Sequence, residues 1–363
     1  MVNPISAATR ASRCDIDEIL TAFLASCGLA LQKTPALPAP ERWAAILPIL
    51  RAQRLRPIAY WVARQSDFRL FPGVGEELKS AFYAAAVHHE RLGFALAEIE
   101  DVFCRCGIPL VVLKGLSLAG WVYPDPACRP MDDIDLLVKP EHLHAASQLL
   151  TSLGYSDKIF GIEDFRNPTT GIVVDLHAEL LNTTRFPVRR AAWCPDLDAW
   201  WSRARLLPSH AHARSLHPHD HLVYLCHHAW LHHGLRKSLG LVDVCLLFRK
   251  VEADGTGESV LKREDIGAGR RGLWYALLSC RHRYGHVLPD TLQRNLRPDN
   301  ISPFERMIHA LAVRGRLPEA ARYGYLWLTI SSRDRVHFLR QFLSAGRSAA
   351  GVGICQGASH QAP

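Results

Sequence analysis

Three stretches decide how this chain is read: VVLKGLS from Val111 to Ser117, RPMDDIDLLV from Arg129 to Val138, and GIVVDLH from Gly171 to His177. In the second, Asp133 and Asp135 stand two apart in an otherwise apolar run. Side chains alternate across a strand, so both carboxylates point to one face while Ile134 and Leu136 point into a core. A solvated strand edge would not carry Leu136, Leu137 and Val138 beside its acids. A third acid, Asp175, follows Ile172, Val173 and Val174 in another strand-like run. Two same-face carboxylates and a third on a neighbouring strand make an oxygen-rich pocket. Such a pocket suits Mg²⁺ (or Mn²⁺), a hard cation that keeps places for water and phosphate oxygens. Asp132, on the opposite face from Asp133 or just before the strand, reads as a cap or turn residue.

Periodicity organises the rest. Residues 1–12 read as a tail, and 15–32 as an amphipathic helix with Ile16, Ile19, Leu20, Phe23 and Leu24 on one side. The proline-rich TPALPAP from Thr34 breaks it. Helices are expected over 41–53, 58–65 and 76–106, the last closed by Gly107. The period then changes to strands over 108–113 and 132–138, with helices over 115–122 and 140–153, then strands over 155–160 and 171–177. This β-α-β-α-β-β order fits one small mixed sheet with helices on one side. Helices return over 222–248, 272–284 and 303–313. The expected fold class is α+β, in four parts: an N-terminal helical segment 1–106, the sheet core 107–180, a C-terminal helical region 181–344, and a disordered tail 345–363 rich in Gly, Ala, Ser and Gln.

Composition narrows the function classes. A chain of 363 residues with 48% hydrophobic and 21% charged residues is ordinary for a globular protein. Its apolar runs fall far short of the roughly 20 residues that span a bilayer, so no membrane span is expected. Asp15, Asp17 and Glu18 interrupt any secretory signal pattern. The ten cysteines are scattered without a C-x-x-C pair, which reads as reduced core thiols in a cytoplasmic protein. A net charge of +8 attracts polyanions, yet basic residues are interleaved with acids, so a dedicated nucleic-acid groove is not favoured. Walker A, G-x-G-x-x-G and G-x-S-x-G patterns are absent, which removes the usual signatures of kinases, Rossmann oxidoreductases and α/β-hydrolases.

The pieces Leu113-Lys114-Gly115, Tyr123-Pro124, Arg129, Asp133-Ile134-Asp135-Leu136-Leu137-Val138, Gly154-Tyr155 and Val174-Asp175-Leu176-His177 resemble the uncharacterised bacterial nucleotidyltransferases of the polymerase-β-like superfamily. A later helical stretch carrying His228 and Asp243 is similar too, and the resemblance spans roughly residues 40 to 290. It implies a minimal nucleotidyltransferase core flanked by helical segments. It also implies transfer of a nucleoside monophosphate from an NTP such as ATP to an acceptor hydroxyl of a small molecule, sugar or peptide. In its terms Asp133, Asp135 and Asp175 hold the metal and carry catalysis, and Asp175 helps deprotonate the acceptor. Lys114 and Gly115 stand at the turn where the superfamily approaches phosphate, with Leu116 in its Ser slot and Ser117 one later. Arg129 reaches phosphates or fixes its loop, and His177 contacts substrate or orients a carboxylate. The same fold with a nucleotide-sugar donor, and a non-catalytic nucleotide-binding or toxin–antitoxin-type protein, are the alternatives.

Histidines cluster at 210, 212, 217, 219, 221, 227, 228, 232 and 233. His228 and His232 are helical i, i+4 neighbours, a zinc-compatible spacing, but Ala229 stands where H-E-x-x-H needs Glu. Some of these histidines are expected to line the helical wall of a nucleotide cleft. Trp193, Trp200, Trp201 and Trp230 are base-stacking candidates or core.

Overall fold

In the computed structural model, residues 4–66, 68–158, 164–182, 188–253, 269–314 and 335 are described. Helices α1 (Pro4–Ser26), α2 (Trp43–Ala52), α3 (Arg56–Gln65) and α4 (Pro72–Arg105) precede the sheet. Ile16, Ile19, Leu20, Phe23 and Leu24 are all buried, as their spacing predicts. Helix α1 differs from the sequence reading at both ends. It begins inside the expected tail, and it stops six residues short of Gln32 because Gly28 takes φ +78°. The bonds Leu29 N–H to Leu24 C=O (3.1 Å) and Gly28 N–H to Ala25 C=O (2.8 Å) complete a glycine-capped helix end.

Strands β1 (Val111–Leu113), β2 (Asp133–Leu137), β3 (Ser156–Lys158), β4 (Asp164–Arg166), β5 (Val173–His177), β6 (Arg205–Leu206) and β7 (Arg214–Ser215) form one mixed sheet in the order β3-β4-β5-β2-β1-β7-β6. The fold is α+β, with helices flanking the sheet. Helices α5 (Lys114–Ala119) and α6 (Leu143–Ser152) lie within the sheet region, and α7 (Val188–Ala192) and α8 (Leu197–Arg203) follow it. Then come α9 (Pro218–His227), a single π-turn (His228–His232), α10 (Ser238–Ala253), α11 (Arg270–Tyr284), α12 (Asp290–Leu296) and α13 (Pro303–Val313). The expected continuous helix over 222–248 is therefore broken, and β4, β6 and β7 were not foreseen. The expected tail 345–363, and residues 159–160 of the expected strand, lie outside the described residues.

Alternation divides the sheet between two cores. Val112, Ile134, Leu136, Val174 and Leu176 pack with Leu92, Leu96, Ile99 and Phe103 of α4 and with Ala146 and Leu150 of α6. Val111, Leu113 and Leu137, one residue out of phase, join the larger core of α1, α2, α3, α9, α10 and α11. Helices therefore serve both faces, not one. At 34 residues, α4 is about 50 Å long and takes part in both cores, with Val74, Leu78 and Phe82 in the helical one. Cys128, Cys226, Cys245 and Cys280 are buried free thiols. No described helix is long and apolar enough to cross a membrane.

The first and eleventh helices are tied by charge. Buried Arg283 donates to Asp17 Oδ1 through Nε (3.1 Å) and Nη2 (2.5 Å), and to Ser238 Oγ (2.9 Å). Removing one partner of a buried pair strands the other. Asp17→Ala is expected to lower the unfolding free energy by about 3 kcal/mol, read as a drop in the urea midpoint at unchanged slope. Phe94→Ser, at a site 75% exposed, is expected to move it by less than about 0.5 kcal/mol.

Candidate active site

The register of β2 and β5 builds the site. These strands are parallel, and Asp135 pairs with Asp175, Leu137 with His177, and Asp133 with Val173. Asp133, Asp135, Asp175 and His177 therefore share one face, as the spacing predicts. On the far side of β2, Leu113 pairs with Asp135, so the residue after β1 arrives beside the same carboxylate. That residue is Lys114, whose Nζ lies 2.6 Å from Asp135 Oδ1. Lys114 takes φ +46°, a left-handed conformation unusual for a side chain of this size. Gly115 follows, and any Cβ there would meet Met131 Sδ at 3.0 Å. Ser117 Oγ donates to the Lys114 carbonyl (2.6 Å), holding the first turn of α5.

Charge balance within the group is uneven. His177 Nε2 lies 3.0 Å from Asp175 Oδ2 and 3.4 Å from Asp135 Oδ1. Burial alone would lower the His177 pKa, but the Asp175 and Asp135 carboxylates raise it to about 10, so the ring is an imidazolium at neutral pH. Lys114 is likewise raised: burial opposes its charge, and Asp135 more than offsets this. Asp135 is held below its ordinary value, because Lys114 and His177 outweigh burial. Asp133 goes the other way, to about 6, chiefly through repulsion by Asp135 and then through burial. Asp132 lies outside this group and pairs with Arg54.

Arg129 is anchored elsewhere. Its Nε and Nη2 donate to Asp243 Oδ1 (2.7 Å) and Oδ2 (2.9 Å) on α10, and the Tyr123 hydroxyl donates to Asp243 Oδ1 (2.5 Å). Nη1 donates to the Pro130 carbonyl (2.9 Å). A bidentate guanidinium–carboxylate pair of this kind fixes the loop that leads into β2.

Helix α9 supplies the wall beside Lys114. The Tyr224 hydroxyl lies near enough to the Lys114 ammonium for the two to influence each other's ionisation. His221, fully buried one turn earlier, is lowered to about 3 by burial and by Lys114. Other histidines have local duties: His210 pairs with Glu100 (2.6 Å), His217 with Arg205 (2.7 Å), and His227 stacks on Trp193. Trp193, Trp200 and Trp230 are buried in the helical core.

The family described as uncharacterised nucleotidyltransferase matches residues 39–285 of the 363. The chain belongs to that family. No curated protein and no solved structure matches it. The matched span of this nucleotidyltransferase family runs from just before α2 to the end of α11. It includes every residue of the acidic group, the Arg129–Asp243 clamp and the α9 wall. Tyr224 was not singled out from sequence, although its position three after His221 and four before His228 places it on their helical face.

Asp133 gives a pH test in the metal-free nucleotidyltransferase. Its folded pKa, about 6, exceeds the ordinary 3.8, so the folded state disfavours its charged form. The resulting cost is absent below the unfolded value, grows as pH rises through about 6, and is constant above. Asp133→Asn is therefore expected to stabilise the protein by about 1–3 kcal/mol at pH 8 with chelator present. The gain should close as pH falls towards 4, measured by urea unfolding across that range. A gain that grew on acidification would contradict the assignment.

Proposed function

We propose that this protein moves a nucleoside monophosphate from an NTP to an acceptor hydroxyl and releases pyrophosphate, in a reaction dependent on Mg²⁺ or Mn²⁺. Family membership supports nucleotidyl transfer in general. The observation that carries the finer reading is the Asp135–Asp175 register, with Asp133 on the same face and a glycine-containing helix start beside it. The donor set suits a hard cation. Asp135 and Asp175 offer carboxylate oxygens within 4.8 Å of each other, and the repulsion that raises Asp133 is what a divalent ion would relieve. Asp133, Asp135 and Asp175 would hold it, with His177 steering the last two carboxylates. A bound divalent ion would supply charge that draws the donor phosphates and the acceptor oxygen together.

The chain's own groups do the rest. Lys114, freed from Asp135, pairs with the triphosphate, and the Gly115 turn lets backbone N–H groups approach it. Asp175 takes the acceptor proton as the acceptor oxygen bonds to the α-phosphorus. The bond from that phosphorus to the bridging oxygen of the β-phosphate then breaks, and pyrophosphate leaves. Arg129, through Asp243, keeps the β2 loop in place. Ser117 secures the helix start. The acceptor is a small molecule, a sugar or a peptide.

The test is transfer of label from each α-labelled NTP, with Mg²⁺ or Mn²⁺, to lysate metabolites and proteins. Asp133→Ala and Asp135→Ala are each expected to cut transfer by at least about 10³-fold. Lys114→Met is expected to cut kcat/KM by about 10²-fold. Metal-dependent NTP binding without transfer would move the reading to another donor, nucleotide-sugars first. Metal-independent NTP binding without transfer would favour a non-catalytic binder, and loss of all binding would return the carboxylates to structural duty.

A further inference from the structure

We propose that His228, His232 and His233 form a second metal site, distinct from the carboxylates, that takes Zn²⁺ or another divalent ion with high affinity for imidazole. The three rings make a nearly equilateral triangle, with centroids 4.8, 4.7 and 4.6 Å apart. One nitrogen from each lies within 4.8 Å of the others, and all three side chains are half-buried. Zinc–nitrogen bonds of about 2.0–2.1 Å need the three nitrogens somewhat closer than this, which small side-chain rotations supply.

The backbone explains how three histidines meet. In an uninterrupted α-helix His232 would lie above His228, but His233 would project from another side. The π-turn changes this. His233 N–H bonds to the His228 carbonyl (3.2 Å), an i to i+5 link that widens the turn and brings both His232 and His233 beside His228. Such turns are rare and recur at functional sites. This one is fixed at both ends. Trp230 and Leu231 are buried inside it, and Gly234 (φ +57°) and Leu235 (φ +60°) close it in left-handed conformations. For a residue as bulky as Leu235 that conformation is strained, so the surrounding structure over-determines the turn.

The donors choose the ion. Three imidazole nitrogens suit Zn²⁺ and similar ions better than hard, oxygen-seeking cations such as Mg²⁺. Three protein donors leave at least one coordination position for water or a substrate atom. Tyr224 stands between the two regions, its ring 5.8 Å from that of His228 and its hydroxyl within electrostatic reach of Lys114.

The experiment uses tag-free, full-length protein stripped by chelator. Co²⁺ serves as the spectroscopic probe, and Zn²⁺ competes against a chromophoric chelator. We expect one equivalent of Co²⁺ to give visible bands of a nitrogen-ligated, low-coordinate ion, displaced by Zn²⁺. His232→Gln and His233→Gln should each weaken Zn²⁺ binding by about 100-fold or more, while Asp135→Asn leaves it intact. X-ray absorption of the Zn²⁺ form should count three imidazoles. That measurement on the unsubstituted protein decides the matter alone if either histidine variant fails to fold. Zn²⁺ affinity unchanged in folded His232→Gln and His233→Gln, loss of binding in folded Asp135→Asn, or an oxygen-only ligand shell would each overturn the proposal.

Discussion

The group around Asp135 is governed by repulsion among like charges. Two unit charges 4 Å apart interact by about 4 kcal/mol at the effective dielectric of a protein site. Parallel pairing sets Asp135 directly beside Asp175, with Asp133 two residues away on the same face. The chain answers with two cations of its own, Lys114 and His177, both against Asp135. Geometry dictates the first. Leu113 is the β1 residue paired with Asp135, so the next residue must turn back to reach that carboxylate. The left-handed backbone of Lys114 is the cost of that turn, about 1–3 kcal/mol for a non-glycine residue. Asp133 receives less compensation, and its raised pKa records the difference.

A second constraint holds the group against the helices. Tyr123 and Arg129 precede β2, while Asp243 lies on α10, 114 residues from Arg129. The three form a buried, charge-assisted network in which removing any member strands another. It gives a physical reason for the Tyr-Pro and Arg elements of the resemblance. They lock the loop entering the acidic strand onto the helical core, so the carboxylates are positioned by packing rather than by a free strand edge.

The acidic pattern was legible because alternation on a strand is a strict rule. Spacing placed Asp133 with Asp135, and Asp175 with His177, on one face of each strand, and the parallel register made those faces one. The long helices were legible for the same reason of period. What failed was short or non-local. Strands β4, β6 and β7 have two or three residues each, too few for alternation to register. The break between α9 and α10 was hidden because apolar residues recur through Leu222–Phe248 while the backbone widens at His228 and reverses at Gly234 and Leu235. The partner of Arg129, Asp243, lies on a distant helix. No local pattern announces a partner 114 residues away.

The internal cations also bear on how metal and nucleotide would meet in the proposed reaction. Lys114 and His177 both contact Asp135 Oδ1, so a divalent ion drawing on that carboxylate would weaken its hold on Lys114. A triphosphate arriving beside the Gly115 turn provides another anion. Each ligand therefore removes an obstacle to the other: metal loosens the ammonium, and phosphate gives it a new partner. Coupling of this kind is reciprocal, so metal must raise nucleotide affinity by the same factor that nucleotide raises metal affinity. Metal alone would weaken the pairing of Lys114, and nucleotide alone would draw Lys114 from Asp135 and leave His177 as the cation beside Asp135 and Asp175. A site balanced in this way would favour the pair over either ligand singly.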